Sequence, residues 1–260
     1  MKLKQILGAF ALASIAVTGA QAAKVSVAAT PVPHAEILEA IKPTLAKEGV
    51  DLDIRVFTDY VQPNIQVHEK AIDANFFQHK PYLDSFNKDR GMNIVSVGNV
   101  HVEPFGAYSN KLKKGDEIPE GAKVAIPNDP SNNARALLLI EKQGLIKLKD
   151  PNNIFATAAD ITENPKKLKF VELEVATLPR VLDDVTFALI NANYALEAGL
   201  NPVEQALFIE DANSPYANFL ATLPENVDKP EIKALVKALQ SAEVKKFIED
   251  KYKGAVVPAF

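Results

Sequence analysis

The 260-residue chain contains no Cys, carries 29 basic against 33 acidic residues, and has a formal charge of −4. Without thiols it can form no disulfide, thiolate nucleophile or zinc–sulfur site. The mild acidity, with no basic block beyond Lys111–Lys114 and Lys166-Lys167, argues against nucleic acid as a partner.

Lys2 and Lys4 precede an uncharged, mostly apolar run from Ile6 to Val17, and Ala20-Gln21-Ala22 supplies a small-x-small cleavage pattern. This reads as a secretory signal peptide over residues 1–22, too short to span a membrane as a helix, with cleavage expected between Ala22 and Ala23. With no Cys to carry a lipid, the mature protein is expected to be soluble in the periplasm.

Strands and helices then alternate. Residues 24–29 read as a strand, 33–47 as a helix with Ile37, Leu38, Ile41 and Leu45 at helical spacing, and 51–57 as an alternating strand. A helix over 61–72 leads to a short strand, 74–77, and a second helix runs through Tyr82, Leu83 and Phe86 to stop before Gly91. Residues 93–108 form a long β-rich stretch. A second series follows: strand 123–127, helix 134–143, strand 168–173, a short helix 178–183, strand 187–190 and helix 191–197. Strand-like segments at 206–210 and 218–222 precede two amphipathic helices, 229–240 and 242–252. The alternation implies α/β architecture with parallel sheets covered by helices. Two such units joined by β-rich crossings, near 102–107 and 206–211, suggest a two-lobed clamshell with a ligand cleft between the lobes. Lobe 1 would comprise 23–106 plus 206–260, and lobe 2 would comprise 107–205.

The ends of the strands carry the candidate site, since ligands of open α/β sheets sit beyond the carboxyl ends of strands. Phe76, His79 and Tyr82 cluster at one strand-to-helix junction. Arg135 lies one turn into a helix opened by the capping types Asn128, Asp129, Ser131 and Asn132, where free N–H groups and an Arg fork would suit a carboxylate. Against that stands pairing of Arg135 with Asp129, or exposure to solvent. Asn191 follows the apolar strand end Ala188–Ile190 and could serve a ligand or cap a helix, and Asn218 has the same ambiguity. His101 and Glu103 alternate along one face of their strand. No hydrolase, nucleotide-binding or metal motif is present, and four scattered His offer no metal spacing. No catalytic residue, metal or cofactor is therefore expected.

The segments 73–83, 100–104, 126–132 with Arg135, and 214–218 resemble the NlpA family, the methionine-binding proteins of ABC importers. The resemblance runs over essentially the whole mature chain. It implies two α/β lobes with methionine between them and delivery to an inner-membrane ABC permease with its ATPase. Phe76, His79 and His101 would surround the thioether, Arg135 would take the carboxylate, and Asn191 and Asn218 the other polar groups, with Tyr82 and Glu103 as further motif residues. Most members carry a lipidated Cys, which this chain lacks, and many have Tyr where Phe76 stands. A monomer that binds without chemistry is expected. The alternatives are another apolar amino acid or a Met-containing dipeptide as ligand, or a periplasmic amino-acid or peptide hydrolase on the same scaffold.

Overall fold

The computed structural model describes residues 22–211 and 215–260, so the signal-peptide expectation falls, Ala22 apart, outside the described residues. The first series is β1 (Ala23–Ala29), α1 (Glu36–Lys47), β2 (Val50–Val56), α2 (Gln62–His68), β3 (Ala74–His79), α3 (Lys80–Arg90) and β4 (Val95–Val102). The second is β5 (Gly106–Tyr108), β6 (Lys123–Pro127), α4 (Pro130–Lys142), the hairpin strands β7 (Lys147–Leu148) and β8 (Ile161–Glu163), β9 (Lys169–Leu173), β10 (Phe187–Ile190), α5 (Ala192–Glu197), α6 (Pro202–Gln205) and β11 (Phe208–Ile209). The chain closes with β12 (Ala217–Thr222), α7 (Pro230–Leu239), α8 (Ala242–Tyr252) and β13 (Val257–Pro258).

The elements form two main sheets, ordered β13-β4-β12-β3-β1-β2 and β11-β5-β10-β6-β9. Neither is purely parallel. In the first, β1 pairs parallel with β2 and β3, but β12 runs antiparallel between β3 and β4. In the second, β6 is parallel to β9 and β10, and β5 is antiparallel to β10 and β11. The strands that run against their sheets are β12 and the edge strand β13 in the first and β5 in the second, and β5 and β12 are the first strands the chain forms after passing from one sheet to the other. A segment returning from the far sheet can fill a gap antiparallel without the helical crossover that a parallel neighbour requires. The outward crossing is residues 103–105, and Glu210 N–H donates to the Phe105 carbonyl at 2.8 Å, which lashes the return segment to it. Because β11 pairs with β5, residues 208–209 stand with the second sheet, and the return crossing begins later than the expected division at 205/206.

Two of the four apolar clusters among the described residues pack the long helices onto the sheets. Ile37, Leu38, Ile41 and Leu45 of α1 and Ile232, Leu235, Val244 and Ile248 of α7 and α8 pack on the first sheet. Leu137 and Ile140 of α4 pack on the second with Val124 and Phe187. Helix ends follow their sequence signals. His79 caps α3 by accepting from Tyr82 N–H, Gly91 closes it at φ 64°, and Asp129 caps α4 by accepting from Asn132 N–H. Among the described residues no helix is long and apolar enough to cross a membrane.

Candidate functional site

A narrow pocket opens where the two sheets face each other. The first sheet and its loops contribute Tyr60, Phe77, Gln78, His79, Tyr82 and Asn218, the second contributes Asn132, Arg135, Asn191 and Ala192, and Glu103 comes from the crossing. Six of the eight expected residues line it: His79, Tyr82, Glu103, Arg135, Asn191 and Asn218.

Phe76 and His101 do not line it, which corrects their expected place beside the ligand. Both are fully buried, and their rings pack at 5.4 Å from each other and at 4.8 and 5.0 Å from His34. Alternation along β3 turns the Phe76 ring into the core of the first sheet, while Phe77 packs in the aromatic cluster with Tyr60 and Tyr82. His101 stands behind Glu103 and donates from Nε2 to its Oε1 at 2.7 Å.

Arg135 is 3% exposed and neither pairs with Asp129 nor points to solvent. Its Nε donates to Glu210 Oε1 at 2.8 Å and its Nη2 to Oε2 at 2.5 Å, a bidentate fork, and Nη2 also reaches the Glu103 carbonyl at 2.9 Å. The guanidinium lies 4.1 Å from the Tyr216 ring centre and 5.0 Å from that of Phe105. Burial alone would weaken its charge, but Glu210 outweighs that and holds it protonated more firmly than usual. The sequence signal for Arg135 was its helix position; nothing local announced Glu210, 75 residues away.

His79 is neutral, lowered to about 3, first by burial and then by the nearby Arg135 charge. Its Nδ1 accepts the Tyr82 N–H, so its Nε2 carries the proton and donates to Asn132 Oδ1 at 3.0 Å. Asn191 Nδ2 donates to the same oxygen at 3.0 Å, and the Asn191 side chain caps no helix. Asn218 Oδ1 accepts from His34 Nε2 at 3.0 Å. Glu103 is buried and accepts from His101 and from Asn193 N–H at 3.0 Å, and its Oε1 lies 3.1 Å from His34 Nε2. Burial raises its carboxyl above the usual range, with His34 and Arg135 pulling the other way. Among the described residues, His34, His101 and Glu103 are the group whose donor atoms come close enough to hold a metal, although their spacing in the sequence gives no hint of it. Both imidazole Nε2 atoms are engaged by the carboxylate.

Sequence reasoning missed Tyr60, Gln78, Asn132 and Ala192 as lining residues, while Phe77 enters that reasoning only together with Phe76. Gln78 and Asn132 lie inside the segments 73–83 and 126–132. Tyr60 carried no signal, being placed by loop geometry and by its hydroxyl bond to Asn193 Oδ1 at 2.6 Å.

A sequence model of the NlpA lipoprotein family matches residues 25–260. The D-methionine-binding lipoprotein MetQ of Salmonella typhi is 48% identical over 213 residues, covering 81% of this chain and 79% of its own. Outer membrane lipoprotein 3 of Mannheimia haemolytica is 42% identical over 260 residues, 99% of each chain. Among solved structures, a nutrient binding protein from Burkholderia cenocepacia bound to methionine is 49% identical and superposes with a TM-score of 0.87, covering 91% of this chain and all of that one. These findings correct the expected location. A mature protein that is soluble and without lipid attachment does not stand against a family model and relatives that are those of lipoproteins. The expectation rested on the absence of Cys, which is a property of the sequence and not of the place where the protein resides. Motif order, two-sheet architecture and full-length match agree: the chain belongs to the NlpA lipoprotein family.

Proposed function

We propose that the protein captures methionine in the cavity between its two sheets and delivers it to the membrane permease of an ABC importer, without turnover. The observation that carries this reading is Arg135. It is a buried guanidinium fixed by Glu210 and two rings, with Nη1 in none of the bonds to Glu210 or Glu103, at the wall of the pocket between the sheets. In this reading Arg135 receives the carboxylate, Asn191 and Asn218 the remaining polar groups, and Tyr60, Phe77, His79 and Tyr82 surround the side chain, where a polarizable sulfur gains roughly 0.3–1.5 kcal/mol per aromatic contact. Glu103 supports the wall with His101 and Phe76 behind it. Lobe closure about the paired crossings would be the working motion.

Calorimetry with free amino acids tests this. Methionine should bind at least about tenfold more tightly than alanine, since each buried methylene is worth about 0.8 kcal/mol. Norleucine should lie within about 1.5 kcal/mol of methionine, keeping the shape and losing the sulfur. Lysine and glutamate would bury an unpaired charge and should bind far more weakly. Tightest binding by either charged amino acid retires the methionine reading.

A further inference from the structure

One polar atom on the cavity wall is buried and has no partner among the described residues: Asn191 Oδ1. The direction in which that oxygen points is not a free choice of the Asn191 amide. Its Nδ2 is committed to Asn132 Oδ1 at 3.0 Å, so its oxygen must face the other way. Asn132 is in turn fixed from two sides. Its Nδ2 donates to both oxygens of the Asp129 carboxylate at 3.0 Å, and a carboxylate can only accept. On the other side stands His79, whose Nδ1 is occupied as the acceptor for Tyr82 N–H, so that its Nε2 can only donate, and it donates to Asn132 Oδ1. A reversed Asn132 would set oxygen against the Asp129 oxygens and N–H against N–H at His79. Either clash in a buried site forfeits a hydrogen bond and leaves a desolvated group unpaired. Asp129 is held for this task, for it also accepts from Ser131 Oγ at 2.9 Å and from Asn132 N–H at 3.0 Å while capping α4.

We propose that Asn132 is a positioning residue that sets the hydrogen-bonding sense of the cavity wall. Asp129 and His79 fix its amide, it fixes that of Asn191, and Asn191 therefore presents an acceptor to the ligand. The site thereby selects a ligand with a donor group, an α-ammonium, over one with a carbonyl at the same place. This deepens the methionine reading and rests on it. It adds that the discrimination between an amino acid and its 2-oxo acid is made by a residue whose own bonds go to protein side chains. A 2-oxo acid of equal length would keep the carboxylate for Arg135 and the thioether for the rings. It would set its carbonyl oxygen against Asn191 Oδ1, acceptor against acceptor.

The experiment is calorimetric titration of the full chain with L-methionine and with 4-methylsulfanyl-2-oxobutanoate, read as the ratio of the two dissociation constants. The wild type should prefer methionine by at least about tenfold, the worth of one charge-assisted hydrogen bond. In Asn132→Leu the Asn191 amide loses the acceptor that orients it and can turn its N–H outward, and the ratio should fall about tenfold, mostly through weaker methionine binding. The paired exchange Asp129→Asn with Asn132→Asp leaves an acceptor facing His79 and Asn191 and places at the N-cap an amide whose oxygen can cap the helix and whose N–H can donate to the new carboxylate, and it should restore the ratio to within about threefold of the wild type. If Asn132→Leu does not fold, Asn132→Ser makes the smaller cut and carries the same expectation. A ratio unchanged in the single variant while both affinities drop together overturns the proposal, since a merely structural Asn132 would do that. Failure of the paired exchange to restore the ratio overturns it as well. A wild type that binds neither compound retires the methionine reading and this inference with it.

Discussion

The wall contributed by the second sheet and the wall contributed by the first hold their side chains by different means. On the second-sheet wall, Arg135, Asn132 and Asn191 are fixed by charge: Glu210 grips the guanidinium, and Asp129 orients the amide pair. On the first-sheet wall, Tyr60, Phe77 and Tyr82 lie edge to face or tilted with ring centres 5.7–5.9 Å apart, and rigidity comes from packing, with hydroxyl bonds at the margins. The contrast teaches where precision is needed. An ionised end group must meet fixed partners or stay in water, because an unmatched buried charge is costly. A thioether tolerates small shifts against rings, because dispersion falls off gradually.

The largest effect should come from breaking the charged wall. Arg135→Ala should weaken methionine binding by about 2–5 kcal/mol. It should also lower the unfolding free energy by about 3–5 kcal/mol, because it leaves Glu210 unpaired in a nearly buried place. Arg135→Ala with Glu210→Ala should recover much of the stability and none of the binding. Calorimetry and urea unfolding on the two variants check both halves. Recovery of binding in the double variant would remove Arg135 from the site.

Acid should loosen the region where the two walls meet. His34 is lowered to about 4, and His79 and His101 to about 3, in each case first by burial, from an ordinary value of 6.5. The unfolded chain therefore takes up protons below about pH 6.5 while the folded one does not, so stability falls with pH from there down to pH 3–4. Glu103, raised by burial, works in the opposite sense, because its folded carboxyl gains a proton before the unfolded one does. Asp129, likewise raised by burial, joins Glu103, and three groups against two leave a net loss of about 1 kcal/mol per pH unit as the solution is acidified. Urea midpoints at pH 7 and pH 5 measure it, and an unchanged midpoint would mean these imidazoles are not held neutral.

The smallest effect should come from the packed wall. Tyr82→Phe removes the hydroxyl bond to the Tyr60 carbonyl at 2.8 Å and leaves the ring in place. Stability should drop by about 0.5–1.5 kcal/mol, and methionine affinity should move by less than about threefold, which is under 0.7 kcal/mol. A larger loss of affinity would mean that the hydroxyl orients Tyr60 in the way Asn132 orients Asn191, and the two walls would no longer differ in kind.

Much of this was legible from the chain. The helix 242–252 matches α8 at both ends, strands 123–127 and 187–190 match β6 and β10, and Gly91 ends α3 as expected. These elements carry local signals that tertiary contacts did not override: a capping residue, a positive-φ glycine, an unbroken apolar run. The misses share a cause. The short pair β7 and β8, and β13, are edges of two or three residues whose hydrogen bonds are made to distant segments, so no period can announce them. The expected parallel sheets became mixed ones because the antiparallel place of β12 depends on where the chain re-enters the first sheet. The face of β3 that meets the cavity was misjudged at Phe76, because a strand buried on both faces shows no alternation from which to choose a side.

The sequence by itself determined the α/β class, the family motifs, and the chemistry gathered at the strand ends: Arg135 after β6, Asn191 after β10, His79 at the start of α3. Those follow from local rules of capping, periodicity and strand termini, which act over a few residues. Only the tertiary structure decided that Glu210 grips Arg135, that Glu103 gathers His34 and His101, and that Asn132 links His79 to Asn191. These partners lie up to 75 residues apart or on different sheets, and hydrogen-bond geometry is set by the meeting of surfaces. Residue types say which atoms can donate or accept; the fold alone says which of them face one another.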